Sequence, residues 1–435
     1  MSRTKKTENN ADLEQPPRQP PDDSPEKDFN AAIQAGLQAH QAGRFSEAAD
    51  AYKKILDVDP DHADANHLLG LIARQTQNNE NAVRLISKAI KANPNEAAYH
   101  SNLGNALKDL GRLGEAAASF NKSISINPDF PVAHGNLGVT LRELGRLEDA
   151  VVSYRKALAL NPDLAEVHSN LGNALRELGQ PEQAIASYRK ALSLSPNYIE
   201  AHIHLGNALL ELERPDDALT SYGEALRINP DLFEPHFNIG NILKQKGRLE
   251  EAAAGFRKAI AIDPNSAEAH YNLGNALSEQ GRLSDAIRCF RNAIAITPDF
   301  AGAHTNLGLA LMDKGDLEES VASHQKALAV NPGFAGALCN LGATLQTMGR
   351  DDEATASYEK AIAVNPDLAL AHNNIGTILK ERGKLEEAVS RYQKALSIDP
   401  CLIKAHNNLG VVLTNLVELE DAIASYEKAL AIAHD

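Results

Sequence analysis

Residues Val167–Pro196 read VHSNLGNALRELGQPEQAIASYRKALSLSP, and variants of this text recur every 34 residues along the chain. Prolines stand at 60, 94, 128, 162, 196, 230, 264, 298, 332, 366 and 400, each 34 residues after the last. Glycines keep the same step from Gly36 to Gly410. A fixed period of this size marks a solenoid built from one repeated supersecondary unit. Units counted in this register begin at 29, 63, 97, 131, 165, 199, 233, 267, 301, 335, 369 and 403, so twelve of them fill residues 29–435.

Each recurring residue has a physical reason. Position 8 of the unit is Gly in all twelve copies, position 20 is Ala in all but one (Ser320), and position 24 is aromatic in all but Ile86 and His324. Small residues at 8 and 20 let two helices approach closely, and the ring at 24 fills the volume they leave. Gly at position 15, present in nine units, is read as the stop of a first helix. Glu148, Glu250 and Glu386 soon afterwards suit the positive start of a second helix. Pro at position 32 stops that helix, and the Asp or Asn that follows it is expected to cap the next one. The fold class is therefore all-α, with two short helices per unit, and no hairpin can bury its apolar face without stacking on its neighbours.

Composition bounds the function. The net charge of −15 argues against a nucleic-acid groove, which needs clustered Lys and Arg, and favours a basic or neutral protein surface as partner. Cys289, Cys339 and Cys401 are odd in number and form no CxxC, as expected in a reducing compartment. Residues 1–28 hold five prolines and almost no apolar side chains, so they read as a disordered tail without a secretory signal. No run of 18 apolar residues is present to span a membrane. A cytoplasmic location is the expectation.

In its small residues at 8 and 20, aromatic 24, Ala 27 and Pro 32, the unit Val167–Pro196 resembles the tetratricopeptide repeat. Position 4, often Trp in that family, is instead His in nine units: His100, His134, His168, His202, His236, His270, His304, His372 and His406. The phrase AHYNLGNAL at Ala269–Leu277 is similar to the repeats of O-linked N-acetylglucosamine transferases and their bacterial relatives. The opening of the second unit, ADANHLLGLIARQ, resembles bacterial arrays that precede glycosyltransferase or sulfotransferase domains. The resemblance implies a right-handed superhelical solenoid whose concave groove holds protein substrates on a ladder of asparagines. It implies a binding surface and no chemistry.

Such a ladder is present. Position 6 is Asn102, Asn136, Asn170, Asn238, Asn272, Asn306, Asn340, Asn374 and Asn408, and position 9 adds Asn105, Asn173, Asn207, Asn241 and Asn275. Positions three apart share a helix face, here the one turned away from the packing residues at 7, 8 and 11. Asn is a poor helix former, by something over ~0.5 kcal/mol relative to Ala, so fourteen of them in helix interiors are a cost with no packing return. An amide offers one donor group and one acceptor, which matches a peptide unit of a bound chain. Helices stacked about 8–10 Å apart and an extended chain advancing about 3.3 Å per residue put one rung at roughly every third peptide residue. The alternatives are bonds between neighbouring helices or inheritance by duplication.

The nine histidines form no HxxxH pair, so no metal site or cofactor is expected. They read as packing rings in place of Trp, and their joint protonation is expected to loosen the array below about pH 6. Charges near the Asn face are mixed, with Glu166, Glu200, Glu234 and Glu268 at position 2 and Lys108, Arg142, Arg176 and Lys244 at position 12, as on a solvated face. Paired cations for a carboxylate clamp are missing, because position 5 is never basic. No nucleophile elbow, phosphate loop, dinucleotide fingerprint or HExxH is found, and enzyme activity is not expected. The sequence DAIASYEKALAIAHD ends without a polar capping helix, leaving Ile423, Leu430 and Ile432 to be covered by a partner, a second copy or further chain. The sequence thus reads as a scaffold that holds extended polypeptide. Its alternatives are the substrate-recognition part of a protein glycosyltransferase and a self-assembling platform.

Overall fold

The computed structural model describes residues 25–434, and all regular secondary structure among them is helical. First helices are α1 (Pro25–Gln41), α3 (Ala63–Gln75), α5 (Ala97–Asp109), α7 (Pro131–Glu143), α9 (Ala165–Glu177), α11 (Ile199–Glu211), α13 (Phe233–Gln245), α15 (Ala267–Glu279), α17 (Ala301–Lys314), α19 (Ala335–Thr347), α21 (Ala369–Glu381) and α23 (Ile403–Asn415). Second helices are α2 (Phe45–Val58), α4 (Asn79–Ala92), α6 (Leu113–Ile126), α8 (Leu147–Leu160), α10 (Pro181–Leu194), α12 (Pro215–Ile228), α14 (Leu249–Ile262), α16 (Leu283–Ile296), α18 (Leu317–Val330), α20 (Asp351–Val364), α22 (Leu385–Ile398) and α24 (Leu419–His434). These 24 helices make twelve hairpins. The first starts at Pro25, so the last four residues of the tail expected to be disordered at 1–28 are helical, and residues 1–24 lie outside the described residues.

The hairpin is closed by the pair at positions 8 and 24. A Cβ added to Gly172 would lie 2.5 Å from Cε1 of Tyr188, and one on Gly274 would lie 2.6 Å from Cε1 of Phe290. Only hydrogen fits under the ring. Tyr188 and Phe290 are in consequence fully buried, and burying each such ring contributes about 2–3 kcal/mol. Position 15 is the helix stop expected of it, because all nine glycines there have φ between 71° and 94°.

One expectation fails. The Asp or Asn that follows nine of these prolines does not cap the following helix: the N-cap falls one residue later, often on residues such as Phe130, Leu164 and Phe300 that offer no capping oxygen. The residue before the proline does the local work instead. Asn161 Oδ1 accepts from the backbone N–H of Asp163 at 3.1 Å, and Asn365 Oδ1 from Asp367 likewise at 3.1 Å. These Asx turns set the chain direction before the next first helix begins.

The described residues form two compact units, divided between Ile228 and Asn229. Within each, a second helix packs on the first helix of its own hairpin and on the first helix of the next. First helices also touch one another directly, α5 against α7 and α7 against α9 in one unit, α15 against α17 and α17 against α19 in the other. Side chains at the same position of successive first helices therefore line up on one side of each stack.

Candidate functional site: the asparagine face of the first helices

The asparagines at positions 6 and 9 fall on this aligned side, but they are not equivalent. In the first unit Asn102 and Asn105 are buried, whereas Asn136, Asn170, Asn173 and Asn207 are half-exposed. In the second unit Asn238, Asn241, Asn272, Asn275, Asn306, Asn340, Asn374 and Asn408 are all half-exposed.

Several amides are committed to the fold. At position 9, Tyr188 Oη donates to Asn173 Oδ1 at 2.8 Å and Tyr222 Oη to Asn207 Oδ1 at 2.5 Å, so these asparagines satisfy the hydroxyl of the ring that closes their own hairpin. At position 6, the amide N–H reaches back one repeat. Asn102 donates to His67 Nε2 at 2.9 Å, and Asn306 donates to Tyr271 Oη at 3.0 Å and to Asn275 Oδ1 at 2.8 Å. Asn408 donates to Asn373 Oδ1 at 3.1 Å, and Asn374 to Tyr358 Oη at 3.2 Å. Bonding between neighbouring helices, one of the alternatives for the row, thus accounts for part of it.

The remainder is not so explained. Among the described residues, no hydrogen bond engages the side-chain amides of Asn136, Asn170, Asn241, Asn272 or Asn340. Asn241 stands over Phe256, a ring with no hydroxyl to satisfy. These five half-exposed amides keep donors and acceptors for a ligand. Part of the signal separating the two classes is readable in sequence: a position 6 amide is used where the preceding repeat carries His67, Tyr271 or Asn373 at position 5, and a position 9 amide where position 24 of its own repeat is Tyr188 or Tyr222, whereas Asn374 is held by Tyr358 at position 24 of the repeat before it.

A family profile described as TPR repeat matches seven overlapping segments running from residue 104 to residue 349, more than half of the chain. Profiles described as tetratricopeptide repeat match residues 39–105, 333–400 and 403–435. The chain belongs to the tetratricopeptide repeat family. Among solved structures, it is similar to YrrB, described as a TPR protein with an unusual peptide-binding site, at 29% identity over 43% of this chain and 96% of that one, with a TM-score of 0.40. It is also similar to the APC/C hetero-tetramer Cut9–Hcn1, at 14% identity over 88% of this chain and 96% of that one, with a TM-score of 0.47. No curated protein sequence matches the chain.

In these tetratricopeptide repeats His at position 4 adds a hydrogen bond to the packing role expected of it, which His134, His236, His304, His372 and His406 keep as buried rings. In eight of the nine, Nε2–H donates to the carbonyl of the proline six residues earlier, as in His134 to Pro128 at 2.9 Å and His406 to Pro400 at 3.0 Å. Asn66 makes the same bond to Pro60 at 3.0 Å in the second repeat. The side chain thus ties each first helix to the loop that delivers it. An Nε2–H survives protonation of Nδ1, so this bond does not itself depend on a neutral ring. Acid sensitivity concentrates where burial holds the imidazole neutral. Burial lowers the pKa of His67 and of His324 to about 4, and it also lowers those of His236 and His372.

Charges run beside the asparagine face as pairs across repeats. Arg74 meets Asp109 at 2.6 Å, Arg142 meets Glu177 at 3.0 Å and Arg176 meets Glu211 at 3.6 Å, each joining position 12 of one repeat to position 13 of the next. Among the described residues no cluster of His, Cys, Asp and Glu is arranged to hold a metal ion. No described helix is long and apolar enough to cross a membrane. A cavity beside Arg291, His304, Glu319 and Ser323 has a volume of about 180 Å³, below the size of a small-molecule site.

Proposed function

We propose that the chain is a protein-interaction scaffold that holds extended polypeptide along its first helices, gripping the backbone through side-chain amides. The observation that carries this reading is the set of half-exposed amides with no intramolecular bond: Asn136 and Asn170 in one unit, and Asn241, Asn272 and Asn340 in the other. Each costs helix stability relative to Ala and returns nothing to the fold. Contacts to a peptide backbone are indifferent to side chains, so such a grip holds many sequences. Phosphate-rich ligands are disfavoured by the net charge of −15.

Alanine at all five positions tests the reading without damaging the fold, since no internal bond is lost and helix propensity rises. Fluorescence anisotropy with labelled 12-residue peptides of unrelated sequence should show every affinity falling by at least about tenfold, while the thermal midpoint holds or rises. Unchanged affinities in a folded variant would refute it.

A further inference from the structure

Two rings interrupt the small and polar residues at position 5. Thr305, Cys339, Asn373 and Asn407 hold it later in the second unit, but repeats seven and eight carry Phe237 and Tyr271. Phe237 stacks on Phe233 at 5.6 Å, and Tyr271 lies 4.8 Å from Phe300. They lie against the rings that fill position 24, Phe237 5.8 Å from Phe256 and Tyr271 6.0 Å from Phe290, but hairpins with Thr305 or Cys339 at position 5 close without such a ring. Tyr271 and Phe300 remain half-exposed beside the asparagine face, and Asn306 holds the Tyr271 hydroxyl at 3.0 Å. Position 2 of the next repeat is Gly302, where a Cβ would lie 3.6 Å from that hydroxyl and 3.4 Å from Phe300. A side chain as long as the Glu of the two preceding repeats would cover the rings there; glycine leaves them open.

Charge selects the occupant. Glu268 stands three residues before Tyr271 on the same helix face, exposed and without an ion pair among the described residues. Further along these helices Ser278 replaces the cation that joins position 12 to position 13 in the first unit, and Asp313 has no ion pair among the described residues. α15 contains no Lys or Arg, and Lys314 is tied to Asp316 at 2.8 Å. Open rings beside the unpaired Glu268 carboxylate suit a guanidinium, which lies flat on an aromatic face while its edge forks onto a carboxylate. We propose that repeat eight holds an arginine side chain of the bound polypeptide, stacked on Tyr271 and Phe300 and paired with Glu268.

This subsite rests on the backbone-gripping reading, and peptides separate the two. Three labelled 12-residue peptides, otherwise Gly, Ser and Ala, would carry Arg, Lys or citrulline at the centre; citrulline keeps the shape of Arg without its charge. The full chain is expected to bind the Arg peptide about tenfold tighter than the citrulline peptide, with Lys between them. G302L, whose Cβ meets Phe300 and the Tyr271 hydroxyl at ordinary contact distances and which favours the helix, should erase that preference and leave citrulline binding unchanged; E268Q should do the same. Equal affinity for Arg and citrulline, or a preference that survives G302L, would overturn the subsite while leaving the amide row untouched. Citrulline-peptide binding that ignores the five alanines would overturn the amide row alone, and binding of no peptide would overturn both.

Discussion

Nε2 of His67 lies 2.9 Å from the amide nitrogen of Asn102 in the next repeat, and both side chains are buried. The amide N–H donates, so Nε2 is bare and the ring proton sits on Nδ1. A second proton would remove the acceptor and charge a ring that packs 4.4 Å from Tyr99. Burial prevails over the nearby Asp64 carboxylate and lowers the pKa from 6.5 to about 4. The folded value lies below the unfolded one, so His67 contributes its full stability above about pH 6.5 and loses it as the pH falls toward 4. Asn373 accepts from Asn408 at the equivalent place, 3.1 Å away, without titrating. H67N should therefore match the parent near pH 7 within about 1 kcal/mol and lose less stability at pH 4.5. Amide exchange of α3 and α5 reports both, and an acid response equal to the parent's would count against this account.

Val417 occupies the position where nine repeats place a left-handed glycine. Its φ is 66°, with Gln77 at 64° and Glu213 at 55° in the other two departures. A left-handed conformation costs an L-residue about 1–2 kcal/mol, most for a β-branched one, and glycine returns part of that gain through its greater freedom when unfolded. Val417 is 76% exposed, so no packing is lost on removing its side chain. V417G should stabilise the last repeat by about 1 kcal/mol, with a smaller gain for Q77G, whose side chain is unbranched. A urea midpoint that falls on either change would contradict the strain argument.

How far the sequence could be read follows from which interactions stay inside one period. Gly172 under Tyr188, sixteen residues apart, repeats identically in unit after unit, so both the hairpin and its closure are legible from spacing alone. The turn before each first helix is less so: Asn161 and Asp163 flank the same proline, and only backbone direction decides that Asn161 accepts the bond. The asparagine row is legible as a row, but its division is not visible at one position. Asn306 is held by Tyr271 and Asn275 one repeat back, while Asn272 has Phe237 in place of Tyr271 and makes no bond to Asn241, which stands where Asn275 does. Histidine at position 4 was legible as a packing ring only, since a proline carbonyl leaves no mark in the text.

His134 shows what that carbonyl is worth. Its Nε2–H reaches Pro128 at 2.9 Å, and the ring is buried. H134F would keep an aromatic ring and leave the carbonyl without its side-chain donor, which costs about 1–2 kcal/mol. H134N, patterned on the bond from Asn66 to Pro60, should recover about half of that loss. Chemical denaturation of the three proteins ranks them. If the Phe variant were the most stable, packing alone would explain the position.

Repeat nine departs from the rule at two places that both meet Gly308. His324 takes the slot of the aromatic ring, with its Cε1 2.5 Å from a Cβ built on Gly308, and it is fully buried. Neither ring nitrogen has a hydrogen-bond partner among the described residues, and burial lowers the pKa to about 4. Ser320, where every other repeat has Ala, donates to the Gly308 carbonyl at 2.7 Å and lies 3.1 Å from Thr344 Oγ1. A phenylalanine at 324 would replace two unsatisfied polar atoms by apolar edge, and repeats with Phe at this position have Ala at position 20. The double variant S320A/H324F restores that pair, and Thr344 keeps its bond to the Asn340 carbonyl at 3.0 Å. We expect a gain of about 1–3 kcal/mol at pH 7 from removing the unpaired nitrogens. The gain should widen as the pH falls from about 6.5 toward 4, where the neutral His324 of the parent loses its contribution. Thermal melts of both proteins at pH 7.5 and pH 5 decide the matter, because a parallel decline would show that His324 is not a source of acid sensitivity.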